Sequence, residues 1–429
     1  MNDTSSPFLT CHRKRVLFTL IAITFIDYMS VGLVYPLFSS LIFDENARFL
    51  PKGSSYVLRG FVLGMLFSLM PLVQFFSAPI LGAFSDFRGR KGVLIAALVI
   101  GVIAYCLAVA GVHFEDLTLL IISRMLLGIA GGSAAVVQAV FSDISTEEEK
   151  THLFSLFNMA LGTGLSIGPF IGGKFSDPSL VSFGCYALPF WIAACMMLLN
   201  LFFVCFFLEE TKKERNKMAI SMNIGLKNLC QALRLPRLRL LFFCAFIFTF
   251  GWSFFIEFVP VYLIGKYRFS ASDVGNFYAY CSFCYAISCG IFIRPFISYL
   301  ENPHILFSTF LSTSLYLCLF FFIQKSSYLW LYFPFLLFLI ALIFPTLTSR
   351  VSIEGTAEEQ GKILGILQSV QSMAFASAPL FSGPLIGVFI HMPVLVGALS
   401  IGIAALSYGY FFRSAPKVEE NLSSEVGDL

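Results

Sequence analysis

Three ionisable side chains lie within long apolar stretches of the sequence. Asp27 is near the middle of the first stretch, Arg124 is in the fourth, and Glu257 is in the seventh, three residues before Pro260. At mid-depth in a bilayer, an ionised carboxylate costs about 3 kcal/mol or more unless it is paired or hydrated. Low-polarity surroundings favour the neutral form of a carboxyl group, which suits a group that loads and releases a proton. We therefore predict that Asp27 carries a proton; the alternative is a structural acid that hydrogen-bonds between helices.

The other two groups each have more than one interpretation. Arg124 binds an anionic group, pairs with Asp27, or clamps two helices together. Glu257 is either a second titratable group or substrate contact, or a solvated acid at the mouth of its helix. These alternatives stay open at the level of the sequence.

The elements that must position these groups belong to a membrane protein. Of the 429 residues, 58% are hydrophobic and 12% are charged, which is about half the charged fraction of a typical soluble domain. The net charge of +3 is small and dispersed, so we expect no nucleic-acid partner. The eleven cysteines lie almost wholly in apolar runs, so we expect no disulfide framework. The first apolar run lacks a small-residue cleavage site and is interpreted as a helix rather than a signal peptide.

Twelve apolar runs are long enough to cross a bilayer, which takes about 20 helical residues. Helices are expected because a single spanning segment must satisfy its own backbone hydrogen bonds. The predicted spans are 16–43, 60–84, 92–112, 117–140, 152–173, 184–208, 240–264, 273–293, 304–323, 328–349, 363–390 and 393–412.

Loop charges predict the side of the membrane on which each loop lies. If the N-terminus is inside, most of the 28 basic residues fall in inside loops, as the positive-inside rule requires. Both termini are then cytoplasmic. The longest cytoplasmic loop, 209–239, separates an N-terminal six-helix bundle, 1–208, from a C-terminal bundle with a short tail, 240–429.

The two halves resemble each other. The stretch from Glu148 to Gly173 overlays the stretch from Glu358 to Gly383, with Pro169 matching Pro379. Such a repeat indicates duplication of a six-helix unit, an architecture found in many secondary transporters. We predict an all-α membrane protein with twelve transmembrane helices in two pseudo-symmetric six-helix bundles. Because one chain supplies both halves, we expect a monomer.

Four motifs follow the order found in a known family. The loop from Gly82 to Lys91 resembles the signature between helices two and three of the major facilitator superfamily. Arg124, with the glycines that follow it, is similar to the fourth-helix motif of that family. The fifth helix resembles the antiporter motif of that family at Gly164, Gly168, Pro169, Gly172 and Gly173. Ser155 stands in place of an earlier glycine of the motif. The first helix, from Phe25 to Pro36, is similar to that of twelve-helix drug/proton antiporters, including tetracycline exporters.

The resemblance implies a conformational latch and an antiport mechanism. In the family, the loop that begins here at Gly82 pairs its charged residues with an acid at the end of helix four. The corresponding residues are Asp86, Arg90 and Asp143. Such ion pairs hold one face shut and break when the halves rock. The glycines of the fifth helix are equally explained by close helix packing alone.

Polar and aromatic side chains within the spans are candidates for a central cavity. With Arg124, we expect the cavity to be lined by Tyr28, Gln138, Asn158, Trp252, Gln368 and Gln371. An aromatic, weakly polar cavity suits amphipathic solutes, although amides inside spans also form interhelical hydrogen bonds.

Other kinds of chemistry find no support in the sequence. Cys281 and Cys284 share one span without a companion pair, so we predict no metal site. There is no phosphate-binding lysine loop, and no nucleophile lies beside a base. We therefore expect no cofactor, no use of ATP and no enzymatic activity.

The leading hypothesis is a proton-coupled exporter of small amphipathic molecules in a bacterial-type inner membrane. Its partners are a small-molecule substrate, protons and the lipid bilayer. The first alternative is an importer or facilitator for an amino acid, nucleoside or organic anion, because one fold serves many functions. The second alternative is a non-transporting membrane scaffold or sensor.

Overall fold

Every regular element in the described part of the chain is helical. The computed structural model of the protein describes residues 11–34, 37–43, 49–144, 150–176, 186–211, 224–235, 238–292, 303–353 and 360–414. These residues form the α-helices α1 (Cys11–Val34), α2 (Leu37–Phe43), α3 (Tyr56–Arg88), α4 (Arg90–His113), α5 (Leu117–Gly131), α6 (Ser133–Ile144), α7 (Lys150–Ser176), α8 (Leu188–Phe207), α9 (Ile224–Arg234), α10 (Arg239–Ile256), α11 (Val259–Tyr267), α12 (Ala271–Ile287), α13 (Pro303–Leu319), α14 (Leu329–Ile353), α15 (Gln360–Val388) and α16 (Met392–Ser414).

Ten segments in the described residues are long and apolar enough to cross a membrane. They are Arg15–Phe43, Tyr56–Arg88, Arg90–His113, Leu117–Ile144, Leu188–Phe207, Arg239–Tyr267, His304–Phe322, Ser326–Val351, Ile363–Val388 and Met392–Tyr410. The predicted count of twelve is therefore not confirmed. The predicted spans 152–173 and 273–293 are missing from the ten, although both are helical. In α7, the side chains of residues 150–155 and 158 lie outside the described part of the structure. Helix α12 has only 17 residues before a π-helical segment, Ser288–Phe292.

Two spans that were predicted as single helices are broken. The span 117–140 contains α5 and most of α6, and 240–264 contains α10 and most of α11. Gly131 and Gly132 lie at the first break, and Pro260 lies in the first turn of α11 after the second. Glycine weakens a helix and proline removes a backbone donor, so these residue types explain both breaks. The span 16–43 contains α1 and α2, and residues 35–36 between them lie outside the described part of the structure.

The buried apolar side chains form two main clusters. The first draws on residues 16–208, together with Phe258, Val261 and Ile386. The second draws on residues 232–408. Most phenylalanines that are almost fully buried, such as Phe141 and Phe310, lie in one of these clusters. The division at 209–239 stays a prediction, and the three residues of the first cluster that come from the second half show where the halves meet.

The two halves pack tightly at one end of the bundle. There, the start of α3 contacts the end of α15, where the backbones of Gly60 and Gly383 leave no room for a side chain. The end of α7 contacts the start of α12 through Gly173 and Gly275. We call this region the closed end, and we call the opposite end, which carries residues 82–91, the loop end.

Two glycines nearer the loop end have open surroundings. No atom lies within 4 Å of a methyl group placed on Gly82 of α3 or on Gly365 of α15. The halves are therefore in close contact at the closed end, while these positions near the loop end face open space.

Candidate functional site

Asp27 lies on α1 with its side chain half-buried. Among the described residues, its carboxylate has no hydrogen-bond or ion-pair partner. The backbone around it is fixed from one side by α8, where Asn200 Nδ2 donates to the carbonyl oxygen of Ile23 at 3.0 Å. An acid without a partner on a fixed backbone is suited to exchange a proton or to contact a solute. Tyr28, the next residue, is also half-buried.

The glycines of α7 fix the same stretch of α1 from another side. A methyl group on Gly164 would lie 2.6 Å from the carbonyl oxygen of Phe25, and one on Gly168 would lie 2.5 Å from that of Met29. Gly172 contacts α1 as closely one turn further on. These contacts lie on both sides of Asp27 in the chain, so close packing of α7 sets the position of the acid.

The last part of the glycine motif faces the other half of the protein. Pro169 lies inside α7, and its carbonyl oxygen would be 2.6 Å from a methyl group on Gly275 of α12. Gly173 also packs against α12, where a methyl group would lie 2.8 Å from the carbonyl oxygen of Ala271. The motif thus contributes to the contact between the halves at the closed end.

Arg124 is buried, with 4% of its surface exposed, and it joins three helices. Its Nε donates to the carbonyl oxygen of Leu66 at 3.1 Å, and its Nη2 donates to the sulfur of Met70 at 3.4 Å. The guanidinium carbon lies 5.0 Å from the ring centre of Phe38. These contacts support the interhelical clamp. The predicted pairing with Asp27 is wrong, because that carboxylate has no ion-pair partner among the described residues.

Tyr105 of α4 was not singled out in the sequence. It is almost fully buried, and it lies within electrostatic range of both Asp27 and Arg124. A tyrosine in an otherwise apolar span was the signal available, although the sequence contains 16 tyrosines, which makes that signal weak.

Glu257 is buried at the break between α10 and α11, with 7% of its surface exposed. Ser253 Oγ donates to its Oε1 at 2.7 Å. The next residue, Phe258, has its ring centre 6.1 Å from that of Phe67 in the other half. The interpretation of Glu257 as a solvated acid is therefore wrong, since the side chain is enclosed beside the contact between the halves.

The other predicted cavity residues have different surroundings. Gln138 and Gln368 are exposed, and Gln371 is half-buried. The side chain of Asn158 lies outside the described part of the structure. Trp252 is 8% exposed and belongs to the second apolar cluster, and its assignment to the cavity stays a prediction. Among the described residues, no group of three or more potential ligands for a metal ion is found.

The charged residues of the loop end form a compact cluster. Arg90 is 5% exposed; its Nη2 lies 2.8 Å from Asp86 and its Nε lies 3.0 Å from Asp143. Arg90 Nη1 also donates to Ser85 Oγ at 2.6 Å. One guanidinium therefore connects the end of α3 with the end of α6, and the role of this cluster as a latch stays a prediction.

A further acid, Glu210 at the start of the central loop, joins this cluster. Its carboxylate accepts hydrogen bonds from the backbone nitrogens of Arg90 at 2.8 Å and Lys91 at 3.2 Å. These are the first residues of α4, so Glu210 caps that helix and its charge is favourable there. Gly89 precedes them with φ of 105°, and a side chain at that position would collide with the Glu210 carboxylate.

We expect the Glu210→Ala variant to destabilise the protein by about 1–2 kcal/mol, because two backbone donors lose their acceptor. The measurement is the unfolding midpoint of the purified protein in detergent micelles. Glu210→Gln keeps one acceptor oxygen and should lose less stability. Equal midpoints for Glu210→Ala and the wild-type protein would contradict the capping role.

Comparisons with known proteins are consistent with this architecture. Residues 20–379 match the model of a family described as Major Facilitator Superfamily. The chain is 26% identical over 370 residues to "Tetracycline resistance protein, class C" of Escherichia coli, covering 86% of this chain and 88% of that protein. It is 25% identical over 399 residues to "Multidrug resistance protein 1" of Bacillus subtilis (strain 168), covering 91% and 96%. The solved structure of the human organic anion transporter MFSD10 (TETRAN) has a TM-score of 0.69 at 20% identity, covering 93% and 99%.

Proposed function

Because the chain belongs to the major facilitator superfamily, and is thus a multi-pass membrane transporter rather than an enzyme, we propose that it exports small amphipathic molecules in exchange for protons. The observation that carries the proposal is Asp27, which is half-buried and has no partner among the described residues. An acid in this state binds a proton without first breaking an ion pair. The names of the bacterial relatives, tetracycline resistance and multidrug resistance proteins, favour drug-like substrates.

The contact between the halves supports a mechanism of alternating access. With the loop end placed in the cytoplasm, as the loop charges predict, the closed end faces outward and the protein is in an inward-facing state. Substrate enters from the cytoplasm in this state. Protonation of Asp27 from outside and substrate binding from inside then bias the same rocking equilibrium, each by its differential affinity for the two states.

Arg124 bears on the alternative of an importer for organic anions. Its guanidinium is buried and is engaged by Leu66, Met70 and Phe38. Binding of a substrate anion by this group would require those contacts to break, and breaking a buried charged hydrogen bond costs about 1.5–3 kcal/mol. We therefore infer that Arg124 is a structural clamp, and the import of an anion is the less favoured function.

The test is proton movement in inverted membrane vesicles that contain the protein. The internal space is acidified, a pH-sensitive dye reports the gradient, and cationic, zwitterionic and anionic compounds are added in turn. Proton release on addition of a lipophilic compound is the expected result. A response confined to amino acids or nucleosides would replace drug export with nutrient transport, and silence with every compound would favour the non-transporting scaffold.

A further inference from the structure

The helix of the central loop, α9, packs on the bundle through one face. Ala232 is buried, and Leu229 and Leu235 contact the second apolar cluster. Asn228 Nδ2 donates to Ser369 Oγ of α15 at 3.0 Å. Helix α9 also contacts α10 and, across the junction between the halves, α3. Its position at the loop end is therefore set by packing.

A second face of α9 is apolar and exposed. Leu226 is 43% exposed and Leu233 is 69% exposed, and Cys230 between them is also exposed. The spacing of four and then three residues places the three side chains in one stripe along the helix, which we call the apolar stripe. A stripe of this kind is unfavourable in water, so it indicates that another surface covers it.

A third face of α9 is basic. Lys227 and Arg234 are exposed and are seven residues apart, so they share one side of the helix. At about 100° per residue, their side chains project about 90° away from the apolar stripe. An apolar face beside a basic face, on a helix that lies against a membrane domain, is the charge pattern of helices that bind anionic membrane surfaces.

The position of α9 agrees with this pattern. Its contact residue Ser369 is six residues inside the candidate span Ile363–Val388. At about 1.5 Å per residue, the Ser369 contact lies about 9 Å along α15 from the first residue of that span. Helices that lie in the membrane surface bury their apolar face about 5–10 Å into the boundary between headgroups and acyl chains. The apolar stripe therefore lies beside a candidate membrane span, which favours lipid as the surface that covers it.

We propose that α9 is an interfacial helix that binds anionic phospholipids, with the apolar stripe among the acyl chains and with Lys227 and Arg234 at the headgroup phosphates. Both observations, the position beside a candidate membrane span and the adjacent basic face, point to lipid rather than to a soluble protein. Because α9 contacts both halves at the loop end, bound lipid holds it at the junction that rocks during alternating access.

The test uses fluorescence quenching in the full-length protein. The Leu233→Trp variant is reconstituted into phosphatidylcholine vesicles that contain, at equal fractions, either brominated phosphatidylglycerol or brominated phosphatidylcholine. The signal of the parent protein, which has three tryptophans, is subtracted. We expect the added indole to be quenched by both lipids, and more strongly by phosphatidylglycerol. Leu226→Trp, on the same stripe, provides an independent reporter.

If Lys227 and Arg234 cause the preference for phosphatidylglycerol, neutralising them should weaken it. We expect Lys227→Gln combined with Arg234→Gln to lower the preference for phosphatidylglycerol by about fivefold for each base removed. The matched control is Lys52→Gln combined with Lys325→Gln, two exposed bases at the closed end, which should leave the preference unchanged. Absence of quenching by either lipid would overturn the membrane location, and equal quenching by both would overturn the anionic site.

Discussion

We expect the Asp27→Asn variant to lose accumulation of substrate against a gradient while it still exchanges substrate down a gradient. Asparagine keeps the size of the side chain but has no proton to release near neutral pH. One pH unit corresponds to about a tenfold concentration ratio for each coupled proton. The wild-type protein should therefore accumulate substrate about tenfold per pH unit if one proton is coupled. The variant should reach the same concentration on both sides.

The structure indicates that this substitution leaves the fold intact. Because the Asp27 carboxylate has no partner among the described residues, the amide breaks no ion pair or hydrogen bond that holds helices together. The measurement compares uptake of labelled substrate into inverted vesicles with an imposed pH gradient and with no gradient. The matched control is Asp116→Asn, at the exposed N-cap of α5, because asparagine caps a helix as well as aspartate. Gradient-driven accumulation by Asp27→Asn would refute the role of this acid in proton coupling.

Much of the architecture could be predicted because lipid constrains sequence so strongly. A segment that crosses a bilayer must be apolar over most of its length, so ten predicted spans have counterparts among the candidate spans. The family resemblance is confirmed. The contacts of Arg90 with Asp86 and Asp143 could be predicted because Arg90 and Asp86 belong to one short family motif. Asp143, at the end of α6, is the acid that the family pairs with that motif.

The burial of individual side chains and the contacts between distant residues could not be predicted, because they depend on tertiary packing. Trp252 and Gln368 are both on apolar helices, but the first is buried in a cluster and the second is exposed. Apolarity on all sides of a helix removes the periodicity that would tell these faces apart. Glu210 caps a helix that begins 120 residues earlier, and α9 is too short and too polar to stand out from a charged loop.

The second large effect that we expect is at the closed end, where Gly383→Ala should weaken the contact between the halves. A methyl group there would collide with the carbonyl group of Gly60 and would lie 3.3 Å from the Cα of Gly64. These are backbone atoms, so the clash is relieved only if α3 and α15 move apart. Overpacking of this kind costs about 1–3 kcal/mol, which corresponds to a shift of about fivefold to 150-fold in the equilibrium between conformations.

The shift can be measured as a distance across the closed end. Spin labels at Lys52 and Lys325 lie in loops of different halves, and both positions are exposed. The labels are attached through unnatural amino acids, because eleven cysteines would react with thiol reagents. Pulsed electron paramagnetic resonance should detect a larger population of long distances in Gly383→Ala than in the wild-type protein. Transport should fall in parallel, since both conformations must be visited in each cycle.

The matched control is Gly365→Ala, on the same helix. It separates the effect of the clash from the effect of replacing glycine by alanine in a helix. Alanine stabilises a helix by about 1 kcal/mol relative to glycine, and this gain is common to both variants. A methyl group on Gly365 would have no atom within 4 Å, so the distance distribution should match that of the wild-type protein. If Gly383→Ala gave the same distribution as Gly365→Ala, the close approach of α3 and α15 would not be what keeps this end closed. A shift in Gly383→Ala alone would make the helix contact at Gly60 a determinant of closure at this end.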